Sequence, residues 1–411
     1  MPERRLLDFV YFNAGGGHRS AALALQSVIT SRLNAPWQVR LVNLQEVLDP
    51  LDVFRKVTGI RLEDIYNLAL AKGWTLGSRY LLPCMHGVIR LYHNAQVDLL
   101  QQFWQKQKPD LVVSLIPNFN RALFQSLQHA LPQVPFATVL TDMADYPPHF
   151  WIEKQEQWLI CGTARAVEQA KAMGYKDHRI FRTSGMILRP QFYDTPALDR
   201  AAERRKLGLD QHLPTGLVLF GSEGSNVMFS IARHLGNSAR DLQLIMICGK
   251  NERLRQRLNR LQTRNRIVVE GFTTDVPRYM QLADFFIGKP GPGSISEAVK
   301  MGLPVIVERN AWTLPQERYN AQWVTENGVG TVLKTFSGID RAVQGLLRSG
   351  ALEQMKARIS KMQNRAVFEI PAILEQIPTL RAAPPERNAG KALPELAQGR
   401  RTDRNEPARP G

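Results

Sequence analysis

The chain has 411 residues, of which 44% are hydrophobic and 22% are charged, and its formal net charge is +16. This length and apolar content predict two globular domains with well-packed cores. No apolar run approaches the roughly 18–20 residues that span a bilayer, and the three cysteines, Cys84, Cys161 and Cys248, are too far apart for a disulfide framework or a zinc site.

The N-terminus and the charge indicate a compartment and a class of partner. Residues 1–5 lead directly into a strand-like segment without the apolar region of a signal peptide, which predicts a reducing cytosol. A net charge of +16 calls for nucleic acid or an anionic membrane as partner, or reflects solvated arginines in a basic proteome. Nucleic acid is disfavoured, because no basic stripe is interleaved with stacking aromatics.

Short β-rich runs alternate with helix-length segments along the chain, which predicts an α/β fold with parallel sheets. The predicted strands are 9–12, 38–42, 111–115, 136–140, 158–160, 216–220, 242–247, 266–269, 285–288 and 304–308. Helices are predicted at 20–33 and 295–301 among others. Each half begins with a strand and a glycine-rich turn, so we expect two Rossmann-like domains facing across a cleft.

The expected domains are 1–189 for the N-terminal half and 190–380 for the C-terminal half, followed by a disordered basic tail at 381–411. Within the first half, residues 51–105 interrupt the alternation with a helical pattern in which cations and apolar residues mix. Two readings stay open for this stretch: a membrane-docking surface or an ordinary inserted helical hairpin. Its candidate membrane residues are Lys56, Arg61, Trp74 and Arg79.

The stretch "NAGGGHRSAA" at 13–22 joins the first predicted strand to a helix. Gly15, Gly16 and Gly17 allow a ligand or phosphate to approach the backbone at the helix N-terminus. His18 opens that helix, where the dipole disfavours its charged form, so it is a candidate neutral base or a capping residue. The spacing differs from G-x-G-x-x-G and lacks the acidic ribose partner of NAD enzymes, which disfavours a dinucleotide site.

The second half carries two further glycine-rich turns. Gly221, Ser222 and Gly224 follow one predicted strand and can cradle a phosphate. After the strand at 285–288, a Pro/Gly loop opens onto a helix expected to start near Ser294, so the backbone N–H groups of Gly293 and Ser294 are available to a diphosphate. Glu297 lies one turn further on, where its carboxylate can bind the vicinal hydroxyls of a ribose.

These residues carry a resemblance to a known family. The chain resembles the two-Rossmann GT-B glycosyltransferases, and in particular the monogalactosyldiacylglycerol synthases and processive diacylglycerol glucosyltransferases, relatives of the lipid II-forming N-acetylglucosaminyltransferase. The matching motifs are "GGGHRSAA" (15–22), "TDMADYPPHFW" (141–151), "GMILRPQF" (185–192), "GKPGPGSISEA" (288–298) and "LPQERYNAQWV" (314–324).

The resemblance implies a role for each site residue and supplies the partners. The donor nucleotide is expected to be UDP, with Glu297 on the ribose and Phe272 against the base. The diphosphate is expected at Gly293, Ser294, Gly221, Ser222 and Gly224, and the sugar at Gln316, Glu317 and Asn320. Such enzymes invert the anomeric carbon in one displacement, which needs a base, and His18, Asp142 and His149 are the candidates.

The family also implies a hexosyltransferase of glycolipid biosynthesis. Galactose or glucose would move from a UDP-sugar to diacylglycerol, at the inner face of the cell membrane, with no cofactor or metal beyond the co-substrate. Lys56, Arg61 and Arg79 would then attract anionic lipids. The alternatives are a different lipid-linked or small-molecule acceptor, an epimerase on the same fold, and a protein that binds UDP without turnover.

Overall fold

The structure is a computed structural model. It describes residues 4–13, 16–32, 35–51, 89, 91–311, 313–348 and 350–382. They form two α/β domains, each built on a six-stranded sheet, which confirms the predicted fold class. Gly15 and the candidate membrane residues Lys56, Arg61, Trp74 and Arg79 lie outside the described residues.

The N-terminal sheet is entirely parallel, with the order β2-β1-β3-β4-β5-β6. Its strands are β1 (Arg5–Tyr11), β2 (Trp37–Asn43), β3 (Leu111–Ser114), β4 (Phe136–Val139), β5 (Trp158–Cys161) and β6 (Ile180–Arg182). Strands β3, β4 and β5 are buried along their full length. Strands covered on both faces read as continuous apolar runs, and this is why the sequence predicts them.

Helices cover both faces of this sheet. They are α1 (Gly17–Thr30), α2 (Leu44–Leu48), α3 (His93–Gln107), α4 (Asn120–Ala130) and α5 (Ala164–Ala172). In α1 the buried residues include Ala21, Leu25, Val28 and Ile29, whose helical spacing forms one apolar face. The helix begins three residues before the predicted segment, because Gly16 adopts a left-handed conformation (φ 77°) that ends the loop there.

The C-terminal sheet is also parallel, with the order β12-β11-β10-β7-β8-β9. Its strands are β7 (Thr215–Leu219), β8 (Gln243–Ile247), β9 (Ile267–Glu270), β10 (Phe285–Gly288), β11 (Val305–Glu308) and β12 (Gly330–Leu333). This is the Rossmann order, in which the direction of winding reverses between the first and fourth strands. The switch point of this domain therefore lies between β7 and β10.

Eight helices are described between Arg200 and Ile359. They are α6 (Arg200–Lys206), α7 (Val227–Gly236), α8 (Glu252–Asn259), α9 (Val276–Leu282), α10 (Pro292–Lys300), α11 (Arg318–Glu326), α12 (Ile339–Leu346) and α13 (Ala351–Ile359). Helix α10 starts two residues before Ser294, because Pro292 suits the first helical position. Within the described ranges, no helix combines the length and apolarity needed to cross a bilayer.

Two strands, β6 and β12, were not predicted from the sequence, and both lie at sheet edges. Strands β6 and β12 have only three and four residues, and none of these is fully buried. An edge strand covered on one side needs less apolar sequence than a central strand. Their short, mixed sequences therefore lack the signal that identified the ten others.

The last helix, α14 (Ala366–Ala382), packs on the N-terminal domain. Its residues in that core are Ala366, Val367, Ile370, Ile373, Leu374 and Ile377. They share one cluster with Leu7, Phe9, Leu25 and Ile29 of β1 and α1. The expected division at 190–380 is therefore wrong for this helix, and the expected tail at 381–411 begins with two helical residues, the rest lying outside the described residues.

The chain thus crosses between the domains twice, and the two crossings are joined. The side chain of Asn364 donates to the Met186 carbonyl at 2.9 Å. The backbone N–H of Arg365 donates to the Ser184 hydroxyl at 2.7 Å. A Cβ on Gly185 would lie 2.6 Å from the Asn364 side chain, so this close approach requires glycine. The two connections therefore form one paired hinge.

We expect Leu374→Ala to lower the free energy of unfolding of the N-terminal domain by about 2–5 kcal/mol, because Leu374 is fully buried in its core. Calorimetric unfolding measures the effect. The matched control is Glu375→Ala on the same helix turn, which breaks only the exposed ion pair with Arg32 and costs below about 1 kcal/mol. Equal effects of the two variants would contradict the packing of α14.

Candidate active site

The loops that follow β7 and β10 flank the switch point of the C-terminal sheet, where the strand order creates a crevice between them. In open parallel sheets, ligands bind in such crevices beyond the carboxyl ends of the strands. The loop after β7 contains Gly221, Ser222 and Gly224, and the loop after β10 contains Lys289 and Gly291. The topology therefore brings together the two glycine turns that the sequence singled out.

The turn after β7 is held by backbone contacts that only glycine permits. Gly221 and Gly224 have φ values of 75° and 61°. A Cβ on Gly224 would lie 2.5 Å from the Cys248 carbonyl oxygen, and one on Gly249 would lie 2.1 Å from the Ser222 carbonyl oxygen. The turn therefore packs directly against the loop after β8, and Ser222 stays exposed at its tip.

Helix α10 presents its N-terminus to the same crevice. Gly291 is the N-cap, and Gly293 and Ser294 are the second and third helical residues, whose N–H groups have no carbonyl partner within the helix. A Cβ on Gly293 would meet nothing within 4 Å, so the space above this backbone is open. Free N–H groups and the positive end of the helix dipole suit a phosphate group.

Glu297 lies one turn into α10 and keeps part of its surface open to the cleft. Loss of hydration raises the pKa of its carboxyl to about 7, while the charge of Arg189, from the segment between the domains, opposes this rise. At pH 7 about half of this carboxyl is therefore ionised, and the ionised form can accept hydrogen bonds from hydroxyl groups. Arg189 was not predicted as a site residue.

An aromatic ring is exposed at the same edge of the sheet. Phe272 follows β9 and is 60% exposed, although it is a large apolar side chain. An exposed aromatic face beside a ligand crevice can stack against a planar base. The structure thus leaves Phe272 free for the contact that the resemblance implies.

The segment 315–320 forms the far wall of the crevice. Gln316 is half-buried and Glu317 is buried, with one carboxylate oxygen 3.4 Å from Nζ of Lys289. Asn320 is fully buried, and its amide donates to the Pro290 carbonyl at 2.9 Å, while its Oδ1 has no hydrogen-bond partner. Asn320 therefore supports the loop after β10, and its contact with the donor sugar stays a prediction.

In the N-terminal domain, His18 and Asp142 meet around one tryptophan. Trp151 donates its indole N–H to Oδ2 of Asp142 at 2.9 Å, and its ring lies 5.8 Å from the His18 ring. Nδ1 of His18 lies 3.0 Å from the hydroxyl of Thr141. The loop from 141 to 151 therefore reaches the helix start that carries His18, although 123 residues separate His18 from Thr141.

Burial shifts the pKa values of His18 and Asp142, two of the three candidate bases, in opposite directions. Burial lowers the pKa of His18 to about 4, so its imidazole is neutral near pH 7, as expected from the sequence. Burial raises the pKa of Asp142 to about 7, and the nearby charges of Glu317 and Asp145 add to this rise. The hydrogen bond from Trp151 and the charge of Lys289 act in the opposite direction.

The loop that carries Asp142 is fixed by Asp145. Its carboxylate accepts the backbone N–H of His149 at 3.0 Å and that of Trp151 at 2.6 Å. The amide of Gln169 bonds both the N–H and the carbonyl of Asp145. His149 itself is exposed with a φ of 64°, and no contact described in the structure joins its side chain to Asp142 or His18.

The glycines at the start of α1 leave its N-terminus accessible. Gly16 and Gly17 are exposed, and a Cβ on either would meet nothing within 4 Å. The peptide groups that open α1 are therefore free to meet a ligand in the cleft. Of the predicted loop, only Gly15 is outside the described residues.

The two domains touch beside this site. Tyr146 of the N-terminal domain stacks on Tyr319 of the C-terminal domain, with ring centroids 6.1 Å apart. Met143 and Ala144 belong to the core cluster that contains Leu219 and Ile295. The charges that shift the pKa of Asp142 include Lys289 and Glu317 of the other domain. The segment 142–146 therefore lies opposite the crevice between the loops that follow β7 and β10.

Some site residues could not be singled out from the sequence. Lys289 and Trp151 stand inside quoted motifs, but nothing in their spacing shows that one lies beside Glu317 and the other holds Asp142. Gly249 follows β8 in a glycine turn of the same type and was a readable signal. In the part of the chain that the structure describes, no group of three His, Cys, Asp or Glu residues is arranged to hold a metal ion.

Comparison with known proteins begins with the C-terminal half. Residues 215–377 match the model of the Glycosyltransferase family 28 C-terminal domain. Over 385 residues, the chain is 32% identical to the probable monogalactosyldiacylglycerol synthase 3 of Oryza sativa subsp. japonica, which covers 87% of this chain and 72% of that protein. The chain belongs to the monogalactosyldiacylglycerol synthase family.

Other members of this family extend the same match. The probable monogalactosyldiacylglycerol synthase of Nicotiana tabacum is 29% identical over 81% of this chain, and the synthase of Spinacia oleracea is 28% identical over 83%. The chain spans 63% and 66% of the length of these two relatives. All three relatives are described as chloroplastic.

Solved structures share the fold of this family member. The Acinetobacter baumannii MurG structure superposes with a TM-score of 0.61 at 12% identity, covering 91% of this chain and 100% of that one. The S. aureus MnaA-UDP co-structure superposes with a TM-score of 0.58 at 16% identity, covering 93% and 99%. These likenesses confirm the two-Rossmann GT-B architecture.

Proposed function

We propose that this chain is an inverting UDP-sugar glycosyltransferase that moves galactose or glucose onto the free hydroxyl of diacylglycerol. The observation that carries the proposal is the convergence at one switch point of two glycine turns, the N-terminus of α10 and Glu297, directly opposite Asp142. Family membership supports the donor class, and the names of the relatives support the acceptor.

The donor has a partner for each of its parts. The N–H groups of Gly293 and Ser294 bind the diphosphate with the dipole of α10, and the turn at Gly221 to Gly224 closes on it. Glu297 accepts the ribose hydroxyls, and Phe272 stacks on the uracil. Gln316 and Glu317 lie on the far wall, where the hexose extends.

Asp142 is the base in this proposal. One oxygen is fixed by Trp151, which leaves the other to receive a proton. The acceptor oxygen attacks the anomeric carbon, its proton passes to Asp142, and the bond from that carbon to the diphosphate breaks. The charge that develops on the leaving diphosphate lies at the N-terminus of α10, which stabilises it. His18 and Thr141 hold the loop and the ring of Trp151 in place.

The net charge of +16 fits an enzyme whose acceptor lies in a bilayer. Anionic lipids attract each lysine or arginine near the surface by about 1 kcal/mol. We therefore place the working enzyme on the inner face of the cell membrane as a peripheral protein. The predicted contacts at Lys56, Arg61, Trp74 and Arg79 remain part of this proposal.

A UDP-release assay tests the function. The full chain receives UDP-glucose, UDP-galactose or UDP-N-acetylglucosamine, each with anionic liposomes that contain or lack diacylglycerol. We expect UDP release with one hexose donor and only when diacylglycerol is present. UDP release at the same rate with and without diacylglycerol would indicate a different acceptor. Binding of UDP without release of UDP from any of the three donors would show that the protein is not a transferase.

A further inference from the structure

Lys289 lies at the switch point between β7 and β10, beside the two glycine turns. It is the first residue after β10. Its Cε lies 3.7 Å from the position of a Cβ on Gly221 and 3.5 Å from that of a Cβ on Gly291. The aliphatic part of the side chain therefore lies against both glycine turns, which places the ammonium group between the two backbones that bind phosphate in the proposed function.

The ion pair between Lys289 and Glu317 is weak. Nζ lies 3.4 Å from Oε1 of Glu317, whereas charge-assisted hydrogen bonds between these groups are typically about 2.7–2.9 Å. The lysine side chain is 39% exposed and that of Glu317 is 12% exposed, so water reaches and weakens the pair from the lysine side. A ligand that carries more negative charge than one carboxylate can therefore take the ammonium group from Glu317 at small cost.

A nucleoside diphosphate is such a ligand. Its two phosphate groups bring a charge of about −2 to −3 to the N-terminus of α10, whose backbone N–H donors are neutral, and the resident carboxylate of Glu317 would repel it. Moving the ammonium group to the diphosphate adds a positive charge beside the phosphate oxygens. The same movement frees the Glu317 carboxylate, which is otherwise occupied.

We propose that Lys289 exchanges its partner when the donor binds, from Glu317 to the diphosphate, and that the freed Glu317 then accepts a hydroxyl of the donor sugar. This inference rests on the proposed function, because it assumes a nucleotide sugar in the crevice. It assigns Lys289 a direct contact with the leaving group and gives Glu317 two successive partners. Asp142 faces the same pair and experiences both charges.

The first test compares the binding of uridine, UMP and UDP to the unchanged chain and to Lys289→Met, by titration calorimetry. We expect the variant to lose roughly 10- to 100-fold in affinity for UDP, because a charged hydrogen bond is removed, and to bind uridine unchanged. Lys289→Arg keeps the charge and should recover most of the loss. The control is Lys334→Met, an exposed lysine after β12 at the same sheet edge, which should bind all three ligands normally.

The second test separates exchange from a fixed structural pair. Glu317→Gln releases Lys289 in advance, so we expect UDP to bind at least as tightly as to the unchanged chain, while the extra affinity of UDP-galactose or UDP-glucose over UDP disappears. If Glu317→Gln weakened UDP as much as Lys289→Met, the exchange would be overturned. An unchanged preference for UDP over uridine in Lys289→Met would also overturn it, and failure of the unchanged chain to bind UDP would overturn the proposed function too.

Discussion

Asp142→Asn is expected to reduce the rate of sugar transfer by roughly 10²- to 10⁴-fold, the usual contribution of a positioned base, while UDP binding persists. The amide keeps the shape and can still accept the indole N–H of Trp151, but it cannot take the proton of the acceptor. Steady-state rates and UDP titrations on the same preparation measure both quantities. Asp177→Asn, an exposed site on the same domain, controls for the change of charge and should leave the rate intact.

The pH profile identifies the base independently. Asp142 has a raised pKa, so it is protonated and inactive below about pH 7 and ionised above it. At saturating donor, we expect kcat/KM for the acceptor to rise tenfold per pH unit up to about 7 and then to level. His18 has a pKa lowered to about 4, so a base at that position would keep the rate constant from pH 5 upward. If kcat/KM instead fell only below about pH 4, His18 would be the base.

Glu297→Ala is expected to weaken UDP binding by roughly 10- to 150-fold, the equivalent of about 1.5–3 kcal/mol for hydrogen bonds to a charged acceptor. The reason is the loss of the carboxylate that the ribose hydroxyls face. Titration with UDP and with 2′,3′-dideoxy-UDP measures it, because the dideoxy ligand should bind the two proteins equally. If the variant lost the same factor for both ligands, Glu297 would act on the fold of α10 and not on the ribose.

The same carboxylate gives donor binding its own pH dependence. The pKa of Glu297 is raised to about 7, so the ionised form that the hydroxyls prefer accumulates as the pH rises through that value. The ratio of UDP to dideoxy-UDP affinity should therefore increase between pH 6 and 8 in the unchanged chain. In Glu297→Ala this ratio should stay flat.

The placement of the donor-site candidates at the carboxyl edge of the C-terminal sheet could be predicted because its determinants are local. A strand, a glycine turn and a helix N-terminus are adjacent in the chain, so the positions of Gly221, Gly293 and Glu297 could be predicted from spacing, while their roles in donor binding come from the family resemblance and stay predictions. The strand order that brings the two turns together follows from parallel topology. Local sequence did not predict the contact of Lys289 with Glu317 or that of Asn320 with the Pro290 carbonyl, because each depends on which group the side chain meets in the folded protein.

The arrangement of the residues on the acceptor side of the site depends on long-range packing. The sequence named His18, Asp142 and His149 without ranking them, since the burial that shifts the pKa values of His18 and Asp142 is a property of the folded protein. Asp145 fixes that loop through the backbone N–H groups of His149 and Trp151 while the His149 side chain stays exposed, and no spacing rule describes these hydrogen bonds. Similarly, nothing in the sequence of α14 indicates that its apolar residues pack in the core of the N-terminal domain.

The return of α14 to the N-terminal domain has a consequence for how the protein is made. Residues 366–377 complete the core around β1 and α1, yet a ribosome adds them after the whole C-terminal sheet. Domains usually fold in the order of their synthesis. Here the N-terminal domain emerges first, but part of its apolar surface stays uncovered until nearly all of the C-terminal domain has been translated. The C-terminal sheet is thus the first able to complete its core on the nascent chain.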